Sequence, residues 1–444
     1  MQLTQPNQKS SSKDKNIKAL LTTATCALLG SVVASPQVLA ATQDEWQFDT
    51  AIMYYGESDR VTAVEGIIAG QKSFANDQLL NLKFTIDALT GASANGAVAQ
   101  PNVQTFTRPS GRGQYQIAAN KTPLDDTFKD TRVQFTGQWT QPIFEDYLWS
   151  IGGNASKEYD YLSLSINSNL ARDFNQKNTT FSAGFSFAFD QIDPEGGIPT
   201  PLSTMQVAKV ASLGSDDDDY EHPDIQSRLG ENDDKTTVDL LLGLTQVINR
   251  RMIVQFNYSY SAADGYMTDP FKIVSVVNDQ GYTQRAIYEN RPDSRTKHAI
   301  FAQSKYHFAQ SILDSSYRFM TDDWQIDSHT FDFRYHVALN DGHFIEPHMR
   351  YYTQSAAEFY QPYVLENDVP VDLISADYRI GEMDAYTLGL KYGMPINNGD
   401  SLSFRLEYYQ QSPKSNGTQA VGVLNDVELY EQVDAIIAQI TYSF

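Results

Sequence analysis

The chain has 444 residues, a formal charge of −22, 26 Tyr, 23 Phe and a single cysteine. An acid excess of this size excludes a nucleic-acid binder, which needs a basic face. The one thiol, Cys26, lies in an N-terminal leader, so an exported chain has no disulfide, no thiol chemistry and no cysteine metal site.

Lys9, Lys13, Lys15 and Lys18 precede the apolar run 19–34, and Val38-Leu39-Ala40 has the small-residue pattern of a cleavage site. This predicts a signal peptide over residues 1–40 and one mature unit over 41–444. No later apolar run is long enough for a transmembrane helix. A transmembrane β-strand needs only about 9–11 alternating residues, and the mature chain alternates over much of its length.

Trp46, Phe48, Ile52 and Tyr54 alternate with polar or small residues, then Val61 to Gly70 returns after a turn. Leu80, Leu82, Phe84 and Ile86 mark a third strand, and a polar loop is expected from Ala92 to Asp130. Val133, Phe135 and Trp139 mark the fourth strand, Tyr147, Trp149 and Ile151 the fifth, and Leu162, Leu164 and Ile166 the sixth. Phe181, Phe185, Phe187 and Phe189 form the seventh, before a loop from Gln191 to Lys235 that holds the run Asp216–Asp219. Leu240, Leu242 and Leu244 give the eighth strand, and Phe256, Tyr258 and Tyr260 the ninth. A loop from Asp264 to Ser294 leads to a tenth strand near Arg295 to Tyr306, whose alternation is blurred. Strands eleven and twelve carry Leu313, Tyr317, Phe319 and Phe331, Phe333, Tyr335. The thirteenth starts at Phe344 and is followed by a loop from Ser355 to Met383. Tyr386 to Tyr392 and Leu402 to Tyr408 give two more, and Ile436, Ala438, Ile440, Tyr442 and Phe444 close the chain.

The count is sixteen, and every long loop follows an odd-numbered strand. Outer-membrane barrels sort their loops this way, with short periplasmic turns and long extracellular loops. Trp46, Trp139, Trp149, Tyr260, Tyr317, Tyr392, Tyr408 and Tyr442 lie near strand ends, where amphipathic rings suit the headgroup level. The expected fold class is therefore all-β: a transmembrane antiparallel barrel in the outer membrane of a Gram-negative cell. Its partners would be lipid, lipopolysaccharide and the barrel-assembly machinery, with Tyr442 and Phe444 as the assembly signal.

The inner positions of strands six to nine are mostly Ser, Asn, Gln, Thr and Gly, the lining of a wet space. A three-residue loop at Asn340-Asp341-Gly342 would set Asp332 opposite Arg350, Arg334 opposite His348 and His336 opposite Glu346. A two-residue loop would turn Glu346, His348 and Arg350 into lipid, at high cost. With Arg405 and Glu407 these residues form a charged belt. Such a belt either selects a passing solute or braces the wall by cross-strand ion pairing.

His336 and Glu346 could exchange a proton, but spacing ties no nucleophile to them, so no catalytic residue is assigned. No cofactor is expected beyond a structural divalent cation, for which Asp190, Asp193 and Glu195 are the weak candidates.

Several stretches resemble the bacterial domain-of-unknown-function family 3570. They include WQFDTAIMYYGESDRVTAVE (46–65), FTIDALTGAS (84–93), TPLDDTFKDTR (122–132), QIDPEGGIP (191–199), GYMTDPFKIVSV (265–276) and DDWQIDSHT (322–330). The resemblance implies an exported outer-membrane barrel with no assigned activity. It also implies a link to periplasmic redox or metal-handling proteins. Many of these stretches fall at loop bases, where Arg108, Arg112, Asp193, Glu195, Asp269, Lys272, Arg291, Asp293 and Arg295 would form either a binding vestibule or rim scaffolding. The leading functional expectation is a pore for a small solute. The others are a closed docking barrel and, less favoured, an enzyme.

Overall fold

The computed structural model describes residues 45–109, 113–205, 228–396, 399–415 and 417–444. The leader, Arg112 and the run Asp216–Asp219 lie outside the described residues. Sixteen antiparallel strands form one closed barrel. They are β1 (Trp46–Glu57), β2 (Val61–Ser73), β3 (Leu79–Ala94), β4 (Leu124–Phe144), β5 (Tyr147–Lys157), β6 (Tyr161–Phe174), β7 (Thr179–Ile192) and β8 (Asp233–Asn249). The second half is β9 (Met252–Gly265), β10 (Ser294–His307), β11 (Ser311–Asp322), β12 (Asp327–Ala338), β13 (Phe344–Gln354), β14 (Met383–Pro395), β15 (Ser401–Pro413) and β16 (Val433–Ser443).

Every strand pairs with its sequence neighbour, and β16 closes on β1 with Ile440 opposite Ile52. The terminal residue completes the seam. The Phe48 amide donates to the Phe444 carbonyl at 2.8 Å, and the Phe444 amide returns the bond at 2.9 Å. The two rings stack at 5.5 Å.

Alternation sends one face of each strand outward. Ile52, Ile166 and Leu406 are 65%, 63% and 61% exposed on that face, and large apolar residues surround them on the neighbouring strands. Exposing such side chains to water costs about 1.5–3 kcal/mol each, so the belt is built for lipid. Connections after even-numbered strands hold at most five residues, as at 74–78 and 339–343. The long loops are 95–123, 193–232, 266–293, 355–382 and 414–432, each after an odd-numbered strand. They are extracellular by the rule that governs such barrels.

The first long loop is shorter than the sequence pattern suggests. β3 runs on to Ala94 and β4 begins at Leu124. At 21 residues, β4 is about twice the length a membrane crossing needs, so this pair stands above the bilayer. The blurred alternation of β10 also has a cause. His298 faces out, where its Nδ1 lies 2.8 Å from the Tyr258 hydroxyl, while the apolar Phe301 sits on the opposite, inner face.

The dry core is not in the barrel. It lies among the long loops, which fold together at the extracellular mouth. Residues Ile273–Val277 pair antiparallel with Thr283–Tyr288 and parallel with Tyr363–Leu365. Val274, Val276, Val277 and Ile374 are fully buried there. The loop between β3 and β4 reaches this sheet from nearly the opposite side of the ring. The Ile273 amide donates to the Asn95 carbonyl at 2.8 Å, and the Val98 amide to Ser275 Oγ at 3.2 Å. Lys272 Nζ donates to the Ala94 carbonyl at the very end of β3. The loops thus bridge the mouth.

Candidate functional site

The charged belt is set by the β12–β13 hairpin. The Leu339 amide donates to the His343 carbonyl at 2.8 Å, leaving Asn340–Gly342 as a three-residue loop. Gly342 takes φ +79°, a conformation that favours glycine. The resulting register sets Asp332 opposite Arg350 and Arg334 opposite His348. His336 Nδ1 lies 3.4 Å from Glu346 Oε2.

The side chains depart from this backbone pairing. Asp332 turns from Arg350 to His348, whose Nε2 is 3.0 Å from Asp332 Oδ2. The other ring nitrogen, Nδ1, is 2.9 Å from Glu407 Oε1 on β15. Both contacts are hydrogen bonds only when each ring nitrogen carries a proton. The intervening strand, β14, places Gly389 between them, opposite both His348 and Glu407. A Cβ at Gly389 would sit 2.6 Å from Glu407 Cγ, so only glycine lets the carboxylate reach across. Arg334 and Arg405 keep looser contacts, 3.5 Å to Asp332 and 3.8 Å to Glu407. Arg350 has no carboxylate within 4.0 Å among the described residues.

At the mouth, Asp269, Lys272 and Arg291 come together with three residues the sequence did not single out, Glu289, Asp377 and Arg379. Arg291 lies 2.6 Å from Glu289 and 2.8 Å from Asp377. Arg379 Nε donates to both Asp377 oxygens at 2.9 Å, and its Nη2 reaches Asp269 at 2.5 Å. Ser375 Oγ donates to Glu289. The Glu289 and Asp377 side chains are buried. Burial alone would raise the Asp377 carboxyl, but the Arg379 guanidinium overrides it and holds the group well below the ordinary carboxylate range. Burial pushes Glu289 up against the pull of Arg291, and lowers Lys272 against the pull of Asp269. Three acids and three bases balance within one closed cluster.

The remaining vestibule candidates do not join it. Arg108 pairs with Asp126 at 3.4 Å. Arg295 pairs with Asp322 and stacks over Trp324 at 4.2 Å. Asp193, Glu195 and Asp293 are exposed. The three suggested metal ligands are not gathered: Asp190 pairs with Lys235 at 3.2 Å in the barrel wall. Among the described residues the acids that do meet are Asp130, Glu158 and Asp160, with oxygens within 4.8 Å of one another. Burial, then the neighbouring Asp130, pushes Glu158 up to about 7. No spacing signal could have found this group, because β4 brings Asp130 beside the turn after β5.

A closed, lipid-facing barrel of sixteen antiparallel strands with a bridged outer mouth is an outer-membrane-type β-barrel protein. The chain belongs to the family described as protein of unknown function (DUF3570), whose profile matches residues 18–444. No curated protein matches it. Among solved structures it is similar to a bacterial polysaccharide outer membrane secretin, at 8% identity and TM-score 0.42, covering 91% of this chain and 100% of that one. It is similar to OccK11 (OpdR) of Pseudomonas aeruginosa at 9% identity and TM-score 0.37, covering 90% and 95%. It is also similar to the siderophore receptor PirA of Pseudomonas aeruginosa at 6% identity and TM-score 0.38, covering 90% of this chain but only 63% of the receptor.

Proposed function

We propose that this protein is an outer-membrane pore for a small solute, exported by a cleaved leader and closed outside by its folded loops. The observation that carries the reading is the state of two inner-face arginines. Arg318 and Arg350 point into the barrel and are nonetheless exposed to solvent. A lumen packed solid would bury them and demand partners. A barrel of about sixteen strands is wide enough for water. The loop domain then acts as the outer gate, and the polar wall of β5 to β7 as the neutral side of the channel. His336 and His348 are both held by carboxylates, which braces this side of the lumen wall.

The bridged mouth also favours a second reading, a permanently closed barrel that docks periplasmic partners. Refolded protein in liposomes separates the two. The pore reading expects swelling in isotonic small sugars, and liposomes that stay inert even after the loops are clipped by protease would sink it.

A further inference from the structure

The inner face of β10 to β15 carries five acids, and each is committed. Asp314 pairs with Lys305 at 3.1 Å and Asp322 with Arg295. Asp332 and Glu407 are both held by His348, and Glu346 lies against His336. By spending carboxylates on two histidines, this wall leaves cations over. Lys297, Arg318, Arg350 and Lys391 face the lumen with no carboxylate within 4.0 Å among the described residues. Lys297 lies near the extracellular end of β10 and Lys391 near the periplasmic end of β14, with Arg318 and Arg350 between. The charges of Lys297 and Arg318 act on one another, as do those of Arg318 and Arg350. The acids acting on Lys297 are Asp239 and Asp322, of which Asp322 is taken by Arg295. For Arg318 the neighbouring groups are Arg350 and the Tyr352 hydroxyl. Glu346 and Asp49 act on Lys391, and Asp332 on Arg350, only from beyond 4.0 Å, so this run of like charges is unfavourable when empty, and a guanidinium fork matches a carboxylate or phosphate. In a protein of net charge −22 it is a local reversal of sign.

We infer that Lys297, Arg318, Arg350 and Lys391 form a descending anion track, with Arg318 and Arg350 as its central site for a small solute bearing a carboxylate or phosphate. The track deepens the pore reading, which provides the route in, but occupancy of the site does not require conduction. The test is therefore a binding measurement on the full mature barrel in zwitterionic detergent at low ionic strength, with inorganic phosphate and succinate as separate probes. Titration calorimetry should show saturable binding of at least one of them. The variant R318Q/R350Q should weaken it by roughly tenfold or more, while R285Q, at an exposed mouth pair, should leave it unchanged. Whichever probe binds more tightly identifies the oxyanion. Equal affinity in R318Q/R350Q, or no saturable binding by the intact barrel, would overturn the inference. Conductance without anion binding would leave the pore reading standing and remove only the track. R318Q and R350Q taken singly, each expected to give a partial loss, guard against a folding defect in the double variant.

Discussion

Asp377 is the keystone of the mouth, and replacing it with alanine should open the loop domain while leaving the barrel closed. The carboxylate receives Arg291 Nη2 at 2.8 Å and Arg379 Nε at 2.9 Å, and its Oδ1 caps the Arg379 amide at 3.1 Å. Breaking a buried charge pair by removing one partner costs about 3–5 kcal/mol. The Arg379 side chain stays 54% exposed, so water screens part of the interaction and the lower end, about 3 kcal/mol, applies. That is about a hundredfold in the local opening equilibrium. Hydrogen exchange of the fully buried amides Val274, Val276 and Val277 reports it directly, with barrel-strand amides as the internal control. Unchanged protection of this strand in D377A would refute the idea that the ion cluster holds the mouth shut.

Acid should do the same as the mutation. The Asp377 carboxyl is depressed in the folded state, so its contribution is complete above the ordinary carboxyl value of about 3.9 and fades as pH falls through the folded value. Glu289 is raised and works in the opposite sense, so the acid opening should steepen in E289Q and flatten in D377A, where the depressed Asp269 carboxyl is left as the acid-sensitive group, again by exchange. Gly389→Ala should push Glu407 off His348 and cost about 1.5–3 kcal/mol, the worth of a hydrogen bond to a charged group. Denaturant unfolding in detergent measures it, and the same substitution on an E407A background should cost little. Deleting Phe444 removes two seam hydrogen bonds and the ring stack on Phe48. Outer-membrane levels of that truncation should fall well below those of the intact chain when membranes are fractionated and blotted.

The barrel was readable because lipid and water impose a period of two on each strand. Phe185 and Phe187 point one way and Ser186 the other, and nothing but the bilayer rewards that contrast over sixteen strands. The three-residue hairpin at Asn340–Gly342 was readable for a related reason, since a slip would carry three charges into lipid. The buried sheet of the mouth was not readable, although Asp269, Lys272 and Arg291 of its ion cluster were singled out. Ile273–Val277 is buried on both faces, so it has no alternation to betray it, and its partners come from loops far apart in the chain. Asp377 and Arg379 were missed with it. In the lumen the belt residues and the His336–Glu346 pair were found, but not the partners of His348. The His348–Glu407 contact spans two strands and depends on Gly389 having no side chain, which pairwise register cannot reveal.

Single-channel recording in planar bilayers, intact protein beside D377A, tests the central claim most directly. A lumen gated by its loops predicts small or intermittent conductance from the intact barrel and larger, steadier openings from D377A. Silence from both, with each shown to be folded and inserted, would contradict a pore.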